Sequence, residues 1–145
     1  MTHFAISQCI KELGRKDLFI TSEHRQLFSD LLNCYSEYPF FHKGLCKSMY
    51  LGAWDMEHYM MMLEILNDMS IGKSRDTSEM SDNGVSLEEE AEGYDKYIIK
   101  LSGAFLKDEV FELPKDEEIS PEGMKIIEMA LMAADVIDQI FEEYV

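Results

Sequence analysis

Residues 124–141 read MKIIEMALMAADVIDQIF, and only Lys125, Glu128, Asp135, Asp138 and Gln139 interrupt the apolar run. Placed on a helix of 3.6 residues per turn, Ile127, Leu131, Ala134 and Ile137 or Asp138 form one stripe. Ile126, Ala130, Ala133, Ile137, Ile140 and Tyr144 form a second stripe beside it. Two adjacent stripes make a face wider than one neighbouring helix covers, so this segment is expected to pack against several others. Leu131 is expected near the centre of that face, with Glu128, Asp135 and Asp138 on a narrow solvent strip. Ser120, Pro121 and Glu122 supply the start signals: an N-cap, a proline in the first turn and an acid near the helix's positive end.

The remaining segments repeat the same period. Ile6, Cys9, Ile10 and Leu13 define a first helix from about Thr2 or His3, with Gly14 as a left-handed cap. Thr21 or Ser22 caps a second helix whose inner face is Leu27, Phe28, Leu31, Leu32 and Tyr35. Pro39 suggests the first turn of a third, shorter helix carrying Phe40, Phe41, Leu45 and Met49 and ending near Gly52. A fourth runs from about Trp54–Asp55 to Met69. Ser86 and Glu89 form a capping box for a fifth helix through Leu106, with a break at Gly93 or Gly103. Val110–Phe111–Glu112–Leu113 precedes Pro114 and reads as an extended connector, because there is no second strand for it to pair with. The expected class is therefore all-α: one compact bundle of five or six helices over residues 1–145. Residues 1–70 form a four-helix N-terminal part, 71–85 a mobile polar loop, and 86–145 the acidic C-terminal helices.

The 145 residues carry a net charge of −16, unevenly spread. Residues 1–72 hold nine acidic and six basic side chains, whereas residues 73–145 hold twenty and seven. Such a field repels nucleic acid and anionic membranes and favours cationic partners, so direct nucleic-acid binding is not expected. No apolar run approaches the ~18 residues of a membrane span. No secretory signal is visible. Cys9, Cys34 and Cys46 are odd in number and form no Cys-x-x-Cys pair. Buried thiols in a reducing compartment are the expectation, hence a cytoplasmic protein.

The motifs of catalysis are missing. There is no Walker loop, dinucleotide fingerprint, His-Glu-x-x-His or EF-hand. Asp55 and His58 stand at i, i+3, but a carboxylate-bridged metal centre needs further ligands from other helices. His42 lies four residues before Cys46, with Lys43 and Lys47 available to lower the thiol pKa, yet no third member of a site can be named. We expect no cofactor, no metal and no enzyme activity; an enzyme using Cys46, His42 or His58 is the remote alternative. The acids come as runs that stay solvated. Glu88, Glu89, Glu90 and Glu92 on the fifth helix, and Asp108, Glu109, Glu112, Asp116, Glu117 and Glu118 on the connector, are the candidate partner-binding residues. The leading expectation is a non-catalytic acidic protein that binds another protein through a basic surface. It would inhibit by masking a nucleic-acid-binding groove, as phage-encoded DNA mimics and anti-CRISPR proteins do. The alternative is a helical adaptor or assembly subunit, homodimeric through the methionine- and aromatic-rich stretch at 40–62. Met60, Met61 and Met62 cannot all point inward from one helix.

Overall fold

Thr2 and Thr21 open the first two helices in the same way. Each is extended, and each side-chain oxygen accepts a free amide of the first turn: Ala5 N–H at 3.1 Å and His24 N–H at 3.0 Å. The resulting elements are α1 (His3–Arg15) and α2 (Ser22–Tyr35). A computed structural model describes residues 1–70, 95–115 and 117–144. Within them lie four more helices: α3 (Lys43–Gly52), α4 (Met56–Ser70), α5 (Asp95–Lys107) and α6 (Pro121–Tyr144). No strand occurs among the described residues, and the class is all-α. No helix among them is long and apolar enough to cross a membrane. The expected loop at 71–85, the Ser86 capping box and the break at Gly93 lie outside the described residues.

Several boundaries follow the signals. Ser120 Oγ accepts the Gly123 amide at 3.1 Å ahead of Pro121. Asp55 Oδ1 accepts the His58 amide at 2.8 Å and caps α4. Others are shifted. Phe40 and Phe41 precede α3, whose N-cap is His42, so Pro39 belongs to the connector rather than to the helix. Gly14 remains helical; the left-handed residue is Asp17, at φ 56°. The Leu18 amide then reaches back to the Leu13 carbonyl at 2.9 Å, the closing bond of a Schellman turn. Asp108, at φ 54°, ends α5 likewise, with Glu109 N–H on the Ala104 carbonyl at 2.9 Å. Gly103 does not interrupt α5.

The packing centre is α3, not α6. Helix α3 packs against α2, α4, α5 and α6, while α1 packs on α2 and α6. Eight of its ten residues are buried, so it is enclosed on nearly every side. What permits this is its spacing of small residues: Gly44, Ser48 and Gly52 stand at i, i+4 and i+8. A Cβ on Gly44 would run into the carbonyl oxygen of Phe105 on α5. One turn on, Ser48 Oγ donates to the Ser102 carbonyl of α5 at 3.0 Å. Gly52 lies against Met62 of α4. On another side, Lys47 Nζ is 2.8 Å and Lys43 Nζ 3.8 Å from Asp138 Oδ1 of α6. That oxygen is shut off from solvent and has no well-aligned hydrogen bond, so charge and distance rather than donor geometry hold the pair. Asp138 thus belongs to the α3–α6 interface rather than to a solvent strip.

Helix α6 buries Ile126, Ile127, Ala130, Ala133, Ala134, Ile137 and Ile140, as the two stripes predict, and also Val136, which lies on neither. Leu131 is only half-buried and Tyr144 is exposed, because α1, α3 and α5 cover the adjoining arc instead.

The glycine contacts give a paired test. Alanine has the better helix propensity by about 1 kcal/mol. Even so, Gly44→Ala should lower stability by about 1–3 kcal/mol, because the obstacle is backbone. Gly103 has nothing within 4 Å of a Cβ, and Gly103→Ala should be neutral or stabilise by up to about 1 kcal/mol. Urea unfolding followed by circular dichroism separates the two; equal effects would mean that α3 and α5 do not approach this closely.

Candidate functional site

The connector between α5 and α6 carries every candidate acid that the structure describes. Phe111 packs against the core, Pro114 is buried, and Ile119 belongs to the core. These three inward side chains pin the segment to the bundle as a strap. On the same segment Asp108, Glu109, Glu112, Glu117 and Glu118 are all exposed. No ion pair joins any of the five to a described cation. Glu118 accepts the Tyr97 hydroxyl at 2.8 Å, and that bond raises the Tyr97 pKa. The structure therefore brings five of the ten candidate acids onto one segment. Glu88, Glu89, Glu90, Glu92 and Asp116 lie outside the described residues.

The strap also exposes two aliphatic side chains that sequence reading did not single out: Val110 is 95% exposed and Leu113 55%. The peptide N–H groups of Val110 to Leu113 donate to no described backbone acceptor. Beside its Ile119 end an open depression of about 420 Å³ is lined by Ile119, Pro121, Met124, Lys125 and Glu128.

The other candidate chemistry resolves into packing. Cys46 is fully buried; desolvation, and after it a hydrogen bond with Cys9, push its thiol well above the ordinary pKa, the reverse of an activated nucleophile. His42 stands at the N-cap position of α3 without a side-chain capping bond, its exposed ring having Nδ1 3.1 Å from the Phe40 carbonyl, and Lys47 is engaged by Asp138. Asp55 Oδ1 lies 2.7 Å from His58 Nδ1 while serving as the α4 cap. No group of three potential metal ligands occurs among the described residues. Cys34 is exposed, contrary to the expectation that all three thiols are buried. The three methionines divide as helical geometry requires: Met60 exposed, Met61 half-buried, Met62 buried.

His24, with nothing in its neighbourhood to mark it, is fully buried. Its Nδ1 accepts the Ile20 amide at 3.1 Å, and its Nε2 lies 2.7 Å from the Tyr50 carbonyl. Both contacts are satisfied only by the neutral Nε2–H tautomer. Tyr50 in turn donates its hydroxyl to the Leu18 carbonyl, and burial raises its pKa. Phe19 and Phe28 complete the aromatic surround. Desolvation lowers His24 to about pKa 4, partly offset by the Tyr50 carbonyl.

No family model matches the chain, and neither a curated protein nor a solved structure does.

Two measurements check these assignments. The unfolded chain takes up a proton on His24 near pH 6.5 and the folded chain only near 4. Stability linked to His24 is thus fully present above pH 6.5 and is lost as pH falls toward 4, by about 3 kcal/mol. Urea midpoints should fall over that range, and nitrogen NMR of the imidazole should show a neutral Nε2–H ring at pH 5; a charged ring there would overturn the assignment. A thiol reagent should label Cys34 at once and Cys9 and Cys46 only in denaturant.

Proposed function

We propose that the chain is a non-catalytic, acidic helical protein that acts by binding another protein. The sharpest form of this reading is an inhibitor that lays its carboxylates over a basic, nucleic-acid-binding surface of the partner, as DNA mimics and anti-defence proteins of the anti-CRISPR type do. The observation that carries it is the strap at 108–118: five exposed carboxylates, without described cationic partners, on a segment fastened through Phe111, Pro114 and Ile119. Spaced negative charge held on a rigid support speeds encounter with a basic groove and discriminates against acidic surfaces. The same field disfavours direct contact with nucleic acid. A reducing, cytoplasmic setting goes with this reading, since all three cysteines are free.

A second reading, an adaptor or homodimer, is favoured by one observation. Phe4 and Tyr144 are both exposed and meet edge to face at 5.4 Å, with Met132 also exposed on α6.

Capture of host proteins on the immobilised chain separates the two. Under the first reading the captured partner is basic, is released steeply as salt rises, and loses about tenfold or more in affinity when Glu109→Lys and Glu112→Lys are combined. Both positions are exposed, so an unchanged melting temperature is the control. Binding that ignores salt and is lost on Phe4→Ser instead would overturn the inhibitor reading in favour of the adaptor.

A further inference from the structure

Val110 is almost completely exposed and Leu113 more than half so, on a strap whose other side chains either anchor it or carry charge. A surface that imitated phosphates alone would have no use for them. Water contact with such side chains is unfavourable, and burying each adds affinity that charge does not supply. Val110 and Leu113 stand three residues apart on the one connector. Glu109 and Glu112 precede them, one carboxylate beside each aliphatic side chain. The amides from Val110 to Leu113 donate to no described backbone acceptor.

Resting on the reading of the strap as the binding surface, we infer that its occupant is an extended cationic segment of the partner protein that interleaves lysine or arginine with aliphatic side chains. The cations lie against Glu109 and Glu112, and the aliphatic groups against Val110 and Leu113. Charge complementarity selects this occupant: an acidic or neutral apolar segment would bury these carboxylates without a counter-charge, and a purely basic one would leave Val110 and Leu113 in water. Recognition then has two separable parts, a salt-dependent one from the carboxylates and a salt-resistant one from the aliphatic pair.

The test uses the intact protein and two short synthetic peptides, one alternating lysine with valine and the other lysine with serine. The lysine–valine peptide should bind about tenfold more tightly, with amide shifts concentrated at residues 109–113. Val110→Ser combined with Leu113→Ser should erase that preference and leave lysine–serine binding unchanged. Glu109→Gln combined with Glu112→Gln should weaken both peptides. Equal binding of the two peptides, or a preference that survives in the serine variant, would overturn the inference while leaving the acidic-surface reading in place. Failure of both peptides to bind would overturn both.

Discussion

Helix α3 can be enclosed only because Gly44 lets it meet the backbone of α5. Most helix pairs are held apart by their side chains, at 8–10 Å between axes. Here a single Cβ would already meet a carbonyl oxygen, and a carbonyl inside a helix cannot turn aside as a flexible side chain can. The close approach brings Ser48 within hydrogen-bonding distance of the Ser102 carbonyl, so a hydroxyl fully removed from water keeps a partner. With Gly52 giving room to Met62, one helix of ten residues supports four others. The long final helix, despite its wider apolar face, is one of the four.

The polar groups inside this core are tied to that arrangement. His24 joins the α1–α2 connector, through Ile20, to the carbonyl of Tyr50 on α3; Tyr50 returns the link through Leu18. Both side chains are buried and satisfied, and the two bonds that tie them to distant segments, His24 to Tyr50 and Tyr50 to Leu18, span 26 and 32 residues. An unsatisfied buried donor or acceptor costs about 1–3 kcal/mol, so these links penalise any packing that separates the connector from α3. Lys47 follows the same logic at the edge: its Nζ lies over the Phe105 ring, 6.0 Å from the centroid, and 2.8 Å from Asp138 Oδ1.

Periodicity made α1, α2 and α6 legible, because in each the residue's own spacing decides which face is buried. For α3 it located Leu45, Met49 and the end at Gly52 but not the enclosure of the whole helix, where the deciding property belongs to the neighbour. Nothing in Gly44-x-x-x-Ser48-x-x-x-Gly52 states that a carbonyl of α5 will lie across it, and Phe40 and Phe41 drew the expected helix start too early. His24 was illegible for a similar reason: its ring is satisfied in the core only because a carbonyl of a distant segment, that of Tyr50, lies against Nε2. Of the candidate site, the exposure of Asp108, Glu109, Glu112, Glu117 and Glu118 was legible, since adjacent carboxylates resist desolvation. The exposure of Val110 and Leu113 was not. Alternation along Val110–Leu113 would bury every second residue, whereas the chain turns Phe111 and Pro114 inward, three residues apart.

The contrast between Asp138 and the strap bears on why the acids are where they are. At the α3–α6 interface the fold neutralises a carboxylate with two lysines, one of them nearly buried. On the strap, Lys115 stands among the carboxylates and forms no ion pair with those described. Charge that served stability would be paired as Asp138 is, because an unneutralised cluster raises the energy of the compact state through its own repulsion. Asp108 adds to this cost: it takes a left-handed conformation that suits glycine better, at the negative end of α5, where an acid is disfavoured. Apart from Glu118, which accepts the Tyr97 hydroxyl, folding draws no evident benefit from these carboxylates. A cationic partner of the kind proposed would, because its binding would relieve the repulsion that burdens the free protein and would make the strap's charge part of the affinity.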